Sequence, residues 1–233
     1  MPYLDANDSS PVQRWLWGEE LMRFTLTYDG PLSPKGGVAD KSAIRAKFHP
    51  QLKMLWETSP VLQAVAANRY FPKGQSSFQP QKHHTEGVTA TPSIAAAIQT
   101  FESMDLCEPR RVGKATFIPL VRETFSLKCA LRILVLRPVP PGGVLNNGDI
   151  DNRLKPLFDG LKIPDRQQEN SCPTVSDEPI YTLLEDDKDV ISLELDTKQL
   201  LTPAENSEYV RLIIDVETRI LHARSYNQPF LGD

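Results

Sequence analysis

Polar and apolar residues alternate along several stretches of the chain. Met22, Phe24, Leu26 and Tyr28 are separated by Arg23, Thr25 and Thr27, a period of two that predicts a half-buried strand. Gly30-Pro-Leu-Ser-Pro-Lys-Gly-Gly37 predicts a loop with Lys35 at its tip. Ile44, Phe48, Leu52, Leu55 and Trp56 then recur at spacings of three and four, a helical stripe that Pro50 is expected to kink or split. Lys41, Arg45 and Lys53 can share the wet face of that helix. Residues 72–92, rich in Pro, Gly, Gln and Ser, predict a long surface loop, and Ser93 to Phe101 a short helix. The clearest strand runs from Phe125 to Val135, with Lys128 and Arg132 on the face opposite its apolar side. A helix with Leu154, Phe158 and Leu161 on its stripe follows Asp151, and 163–179 is polar and irregular. Tyr181–Leu184, Val190–Leu195 and Tyr209–Val216 predict three further strands, with a turn at Glu185–Asp189. There is no internal repeat. This order predicts an α+β domain with a mixed or antiparallel β-sheet packed with helices.

Composition narrows the class. Of 233 residues, 40% are apolar and 24% charged, which suits one globular core and excludes a disordered or fibrous chain. The most apolar stretch, Cys129–Leu136, is short and holds Arg132, whereas a spanning helix needs about 20 apolar residues. Met1–Asp8 is polar and acidic, with no basic segment or apolar run typical of a signal peptide. Cys107, Cys129 and Cys172 sit at neither metal-ligand nor redox spacing, so three free thiols in a reducing compartment are expected. The expectation is a cytoplasmic protein with no membrane partner.

Charge adds an asymmetry that the net value of -4 hides. Residues 31–139 carry 15 basic and 7 acidic groups, and residues 140–200 carry 6 basic and 13 acidic. A basic part can grip a polyanion while an acidic part holds cations; two solvated faces that neutralise each other are the plain alternative.

The chemistry concentrates in Asp149-Ile-Asp151-Asn152-Arg-Leu-Lys155-Pro-Leu-Phe-Asp159-Gly-Leu161. Asp151 suits the N-cap of the following helix, on which Asn152, Lys155 and Asp159 share a face. If the backbone before the cap is strand-like, Asp149 and Asp151 lie on one side of it. Two carboxylates at a strand–helix junction suit a hard divalent cation, and a lysine one turn on can offset charge on a phosphate. Glu185-Asp186-Asp187-Lys188-Asp189 is a second acidic run, whose like charges need water or a cation between them. As plain alternatives, Asp151 is only a cap, Lys155 and Asp159 are a surface ion pair, and the acidic run is a solvated turn.

The first run resembles the core motif of RusA-type Holliday-junction resolvases, D-x-D-N-x-x-K-x-x-x-D-x-L, and Asp186-Asp187-Lys-Asp-Val190 resembles the paired acid that follows it in that family. The likeness covers about residues 126–216. It implies a RusA-like fold over 1–233, enlarged by an insertion around 57–112 and a long loop at 163–179. It implies a homodimeric endonuclease cutting four-way DNA junctions with Mg²⁺ or Mn²⁺. On that reading Asp149, Asp151 and Asp187 bind metal, Asp186 contributes or orients the turn, Lys155 assists the chemistry, and Asn152 and Asp159 support. Lys35, Lys41, Arg45, Lys128 and Arg132 are candidate contacts to DNA phosphates. The family's early loop carries an asparagine that Gly30–Lys35 lacks, and Pro156 directly follows Lys155.

Other chemistries find no support. There is no G-x-S-x-G elbow and no G-x-x-x-x-G-K phosphate loop, so no nucleotide cofactor is expected. His83-His84 has no partner at metal spacing, and Trp15, Trp17 and Trp56 read as core or interface. Two alternatives stay open beside junction cleavage: a non-catalytic DNA-binding or assembly protein on the same fold, and a nuclease for flaps or forks.

Overall fold

The computed structural model describes residues 20–34, 36–72, 103–138, 149–165, 178–202, 208–222, 227 and 230, with the backbone alone at 20–21, 71–72, 103 and 149–151. The expected helix over 93–101, the loop tip at Lys35, Cys172, His83-His84, Trp15 and Trp17 lie outside these residues.

The long alternating segments form one mixed four-stranded sheet. Its strands are β1 (Glu20–Pro31), β6 (Leu127–Arg137), β8 (Val190–Gln199) and β9 (Tyr209–Ile220), in the order β1-β9-β6-β8. β9 runs antiparallel to both β1 and β6, and β8 is parallel to β6. The period of two sends Leu127, Cys129, Leu131 and Ile133 of β6, and Val210, Leu212, Ile214 and Val216 of β9, to one buried face. The other face is polar. There Arg23 and Arg219 pair with Glu217, Arg132 pairs with Glu194, and Thr25 donates to Asp215 around an open hollow of about 430 Å³.

Helix α1 (Val38–Thr58) covers the apolar face with Ile44, Phe48, Leu52 and Trp56, one residue per turn. Of the two expected outcomes, kink or split, the split does not occur: the helix runs through Pro50. Pro50 and Ala46, whose carbonyl loses its donor, are both exposed, and the break comes at Ser59 before α2 (Pro60–Ala67). Gln51 on α1 clamps the free edge of β1, accepting from Thr27 N at 2.9 Å and donating to Thr27 O at 2.7 Å.

Short strands supply the rest: a ribbon of β2 (Tyr70–Pro72) and β3 (Ser103–Asp105), and a second mixed sheet, β4-β5-β7. Its strands are β4 (Arg110–Val112), β5 (Ala115–Val121) and β7 (Ile180–Leu184); β5 and β7 run parallel. The region 57–112 is therefore partly integral, because Leu62, Val65 and Leu106 join the main core. Phe125 is not in β6 as expected. It sits in a 3-10 turn over Glu123–Phe125, ended by Ser126 at φ 55°, and packs on Phe230 and Trp56. Trp56 is thus a core residue. The architecture is α+β, and among the described residues no helix is long and apolar enough to cross a membrane.

Helix α3 (Asp149–Leu161) begins at Asp149, so Asp151 belongs to its first turn and is not an N-cap. Leu157 and Leu161 are fully buried, while Leu154 and Phe158 are half-buried. Gly160 lets α3 approach α1: a Cβ there would stand 2.4 Å from Ile44 Cγ2. Beside it, Arg45 is 4% exposed and donates to Asp159 O at 2.6 Å and Lys162 O at 3.1 Å. These are carbonyls of the last turn, which no helix amide satisfies, and a cation there also complements the helix dipole.

Two outcomes follow. Arg45→Met should leave those carbonyls without the guanidinium and cost about 2–4 kcal/mol, read from urea denaturation. His49 Nδ1 accepts from Tyr181 N at 3.0 Å, and burial, followed by the charge of Lys53, lowers its pKa below the free value of 6.5 against the opposing pull of Glu178. As pH falls through 6.5 the unfolded chain takes up this proton first, so stability should decline until the folded pKa is passed. Urea midpoints between pH 7 and 5 should fall more steeply in the wild type than in His49→Gln.

Candidate functional site

The motif helix and the acidic run meet at one cavity of about 490 Å³. From α3 come Lys155, Phe158 and Asp159, followed by Lys162 and Asp165; from α1 comes Lys41; from the turn after β7 comes Asp187, and from the start of β8 Val190. The chain reaches this arrangement by simple steps. β7 ends at Leu184, whose carbonyl accepts from Ile163 N at 3.1 Å just past α3. The acidic run then closes a 3-10 turn over Asp187–Asp189 before β8.

Each acid of that run has its own partner, mostly from a different element. Glu185 takes Arg110 Nε of β4 at 2.6 Å and the backbone N–H of Glu123 at 3.1 Å. Asp186 caps the turn by accepting Lys188 N at 3.1 Å, a bond that holds its carboxyl below the usual range. Asp187 takes Lys162 Nζ at 3.4 Å. Asp189, 2% exposed, takes Lys128 Nζ of β6 at 2.5 Å. The mutual repulsion expected of this run is relieved by protein cations rather than by solvent alone.

Several expected site residues take other roles. Asp159 does not pair with Lys155 across the face of the helix. It is largely buried, with Lys41 Nζ at 2.7 Å and Lys162 Nζ at 3.6 Å. Arg45 is not a phosphate contact, because the last turn of α3 consumes its guanidinium. Lys41 faces the cavity but is tied to Asp159, and Lys128 is tied to Asp189. Arg132 is exposed on the polar face of the main sheet, paired with Glu194 at 2.6 Å. Lys128 and Arg132 do share a face of β6, as the alternation predicts. Asn152 is exposed on the first turn of α3.

Lys155 is exposed at the cavity and makes no ion pair among the described residues. Lys162, which the sequence reading missed, is tied to three carboxylates. Its ammonium lies within 3.4–3.8 Å of Asp187, Asp159 and Asp165, with its side chain 13% exposed. Burial would lower its pKa, but Asp165, Asp187 and Asp159 outweigh that and raise it. Its place three residues after Asp159 was the available signal.

The scale of α3 matters for any shared ion. Asp151 and Lys162 are 11 residues apart, about 16 Å along a helix axis. The acidic turn therefore docks toward the C-terminal end of α3, with Lys155 lying between it and the first turn. A helical backbone also removes the strand-like alternation that would set Asp149 and Asp151 on one side. Among the described residues, no three His, Cys, Asp or Glu side chains form a metal cluster; the side chains of Asp149 and Asp151 lie outside that set. The donors at hand are hard carboxylate oxygens, and Asp187 is 58% exposed, a chemistry that fits Mg²⁺ or Mn²⁺.

No family model matches this chain, and no curated protein or solved structure gives a significant match.

Lys128→Met should leave the buried Asp189 carboxylate uncompensated and destabilise the protein by about 3 kcal/mol or more. A denaturation midpoint that barely moves would contradict this.

Proposed function

We propose that the protein is a RusA-type, divalent-metal-dependent endonuclease that cleaves branched DNA, with four-way junctions as substrate. The observation that carries this reading is Lys155: an ammonium without an ion-pair partner among the described residues, sharing a cavity with Asp187, on the helix that opens with Asp149 and Asp151. Support also comes from the sequence motif that these residues complete. A purely structural cation site has no use for a positive charge beside it.

On this reading Asp149, Asp151 and Asp187 would hold Mg²⁺ or Mn²⁺, and Asp186, committed to capping the turn, would orient Asp187. A bound divalent ion supplies an activated water and stabilises the departing oxygen. Lys155 neutralises the charge that builds on the scissile phosphate. Phe158 and Val190 add apolar surface to the cavity wall beside it. Lys41 stays with Asp159 and fixes the wall rather than the substrate. A homodimer would present two such cavities to the symmetric arms of a junction.

The test is incubation of the protein with a synthetic four-way junction, a flap and a linear duplex, with Mg²⁺ and with EDTA. Symmetric, Mg²⁺-dependent nicks in the junction are expected. Asp151→Asn should abolish them while junction binding persists, and Lys155→Met should reduce kcat by about 10²-fold or more. Cleavage of the flap alone would replace the substrate. Binding without cleavage in either Mg²⁺ or Mn²⁺ would overturn the reading in favour of a non-catalytic DNA-binding protein.

A further inference from the structure

We infer that Lys162 is an internal cation that competes with the divalent metal for Asp187, and is thus a positioning residue that sets the metal requirement of the site. The inference rests on the reading of Asp187 as a metal ligand.

Three observations lead to it. The Lys162 ammonium lies 3.4 Å from Asp187 Oδ2, 3.6 Å from Asp159 Oδ1 and 3.8 Å from Asp165 Oδ2, so one charge is shared among three carboxylates. Its side chain is 13% exposed, and its backbone is fixed by donation to Phe158 O and by the bridge to Leu184, so the ammonium is held at the cavity. Asp159 has a second cation, Lys41 at 2.7 Å, whereas Lys162 is the one basic side chain paired with Asp187 among the described residues. Asp187 can thus be surrendered while Lys162 keeps Asp159 and Asp165. Any ion that takes Asp187 as a ligand must therefore displace this ammonium.

The sign of the effect separates competition from mere support. A lysine that only braces the turn would, when removed, loosen metal binding. A competing lysine would, when removed, tighten it. Mn²⁺ binding to the purified full-length chain, followed without DNA by the electron paramagnetic resonance of free Mn²⁺, reads this directly. Lys162→Met is expected to bind Mn²⁺ about fivefold more tightly than the wild type. Lys162→Arg should stay near the wild type, and in an Asp187→Asn background Lys162→Met should have no effect. Unchanged or weaker binding in a folded Lys162→Met overturns the inference, as does absence of Mn²⁺ binding in both proteins. Should Lys162→Met not fold, the wild type decides. Saturating Mg²⁺ should shift the Lys162 Cε–Nζ resonances, assigned with Lys162→Arg, and leave those of Lys53 in place; no shift overturns it. Loss of the nuclease reading looks different. A wild type that cuts no DNA while Lys162→Met binds Mn²⁺ more tightly rejects the activity and keeps the competition. A junction-cutting wild type with unchanged Mn²⁺ affinity in the variant rejects the competition alone.

Discussion

The buried guanidinium of Arg45 at the last turn of α3 is the interaction on which the site depends. A helix end buried against a core leaves carbonyls that must find donors, and here a side chain from α1 supplies them. The contact is possible because Gly160 carries no Cβ to meet Ile44. α1 is itself fixed by its stripe on the main sheet and by Gln51 on β1. Sheet, α1 and α3 therefore form one rigid chain of contacts, and the positions of Lys155, Asp159 and Lys162 follow from it. Arg153 extends the principle: it is buried, and its guanidinium holds the carbonyl of Leu32 beyond β1 at 2.6 Å. Arg122 repeats it in the second sheet, where it bridges the carbonyls of Leu106, Glu108 and Pro119. Burial lowers its pKa to about 10, still high enough to keep the charge at neutral pH.

The acidic turn shows how such a scaffold tolerates a dense run of like charge. Lys128, Arg110 and Lys162 reach it from three elements, so the turn is tied to the main sheet, the second sheet and α3 at once. The ties are unequal. Asp189 is buried with its lysine and serves the fold, whereas Asp187 is largely exposed. An exposed ion pair contributes little to stability and is readily exchanged. The same run thus divides into a structural acid and an available one.

The elements with long, clean periodicity were legible. β1, β6 and β9 each bury one face, and α1 buries one stripe, so local pattern and tertiary environment agree. β2, β3 and β4 were not legible, because three residues are too few to show a period. β5 was hidden by its nearly continuous burial and by Pro119. In the site, the spacing of Asn152, Lys155 and Asp159 placed those three on one helix, whereas Asp149 and Asp151, expected before it and at its cap, lie in its first turn; the acidic run forms a turn, as its composition suggests. What failed was charge pairing. Lys41 meets Asp159, Lys128 meets Asp189 and Arg110 meets Glu185 across long stretches of sequence, and no local rule reports such partners. Arg45 read as wet because arginine is rarely buried, yet it stands beside Ile44 at the point where two helices close.

The pairing of β1 with β9 joins residues nearly two hundred positions apart, from Glu20 against Arg219 to Pro31 against Tyr209. On the ribosome, β1 has no strand to zip onto until 209–220 emerge, and β6, made later, waits for the same central neighbour. The sheet therefore closes late, through its most sequence-distant contacts, which is the topology that folds slowly. During that wait the apolar side of β1 and its unpaired amides stand open to any passing chain, the kind of exposure from which aggregation starts.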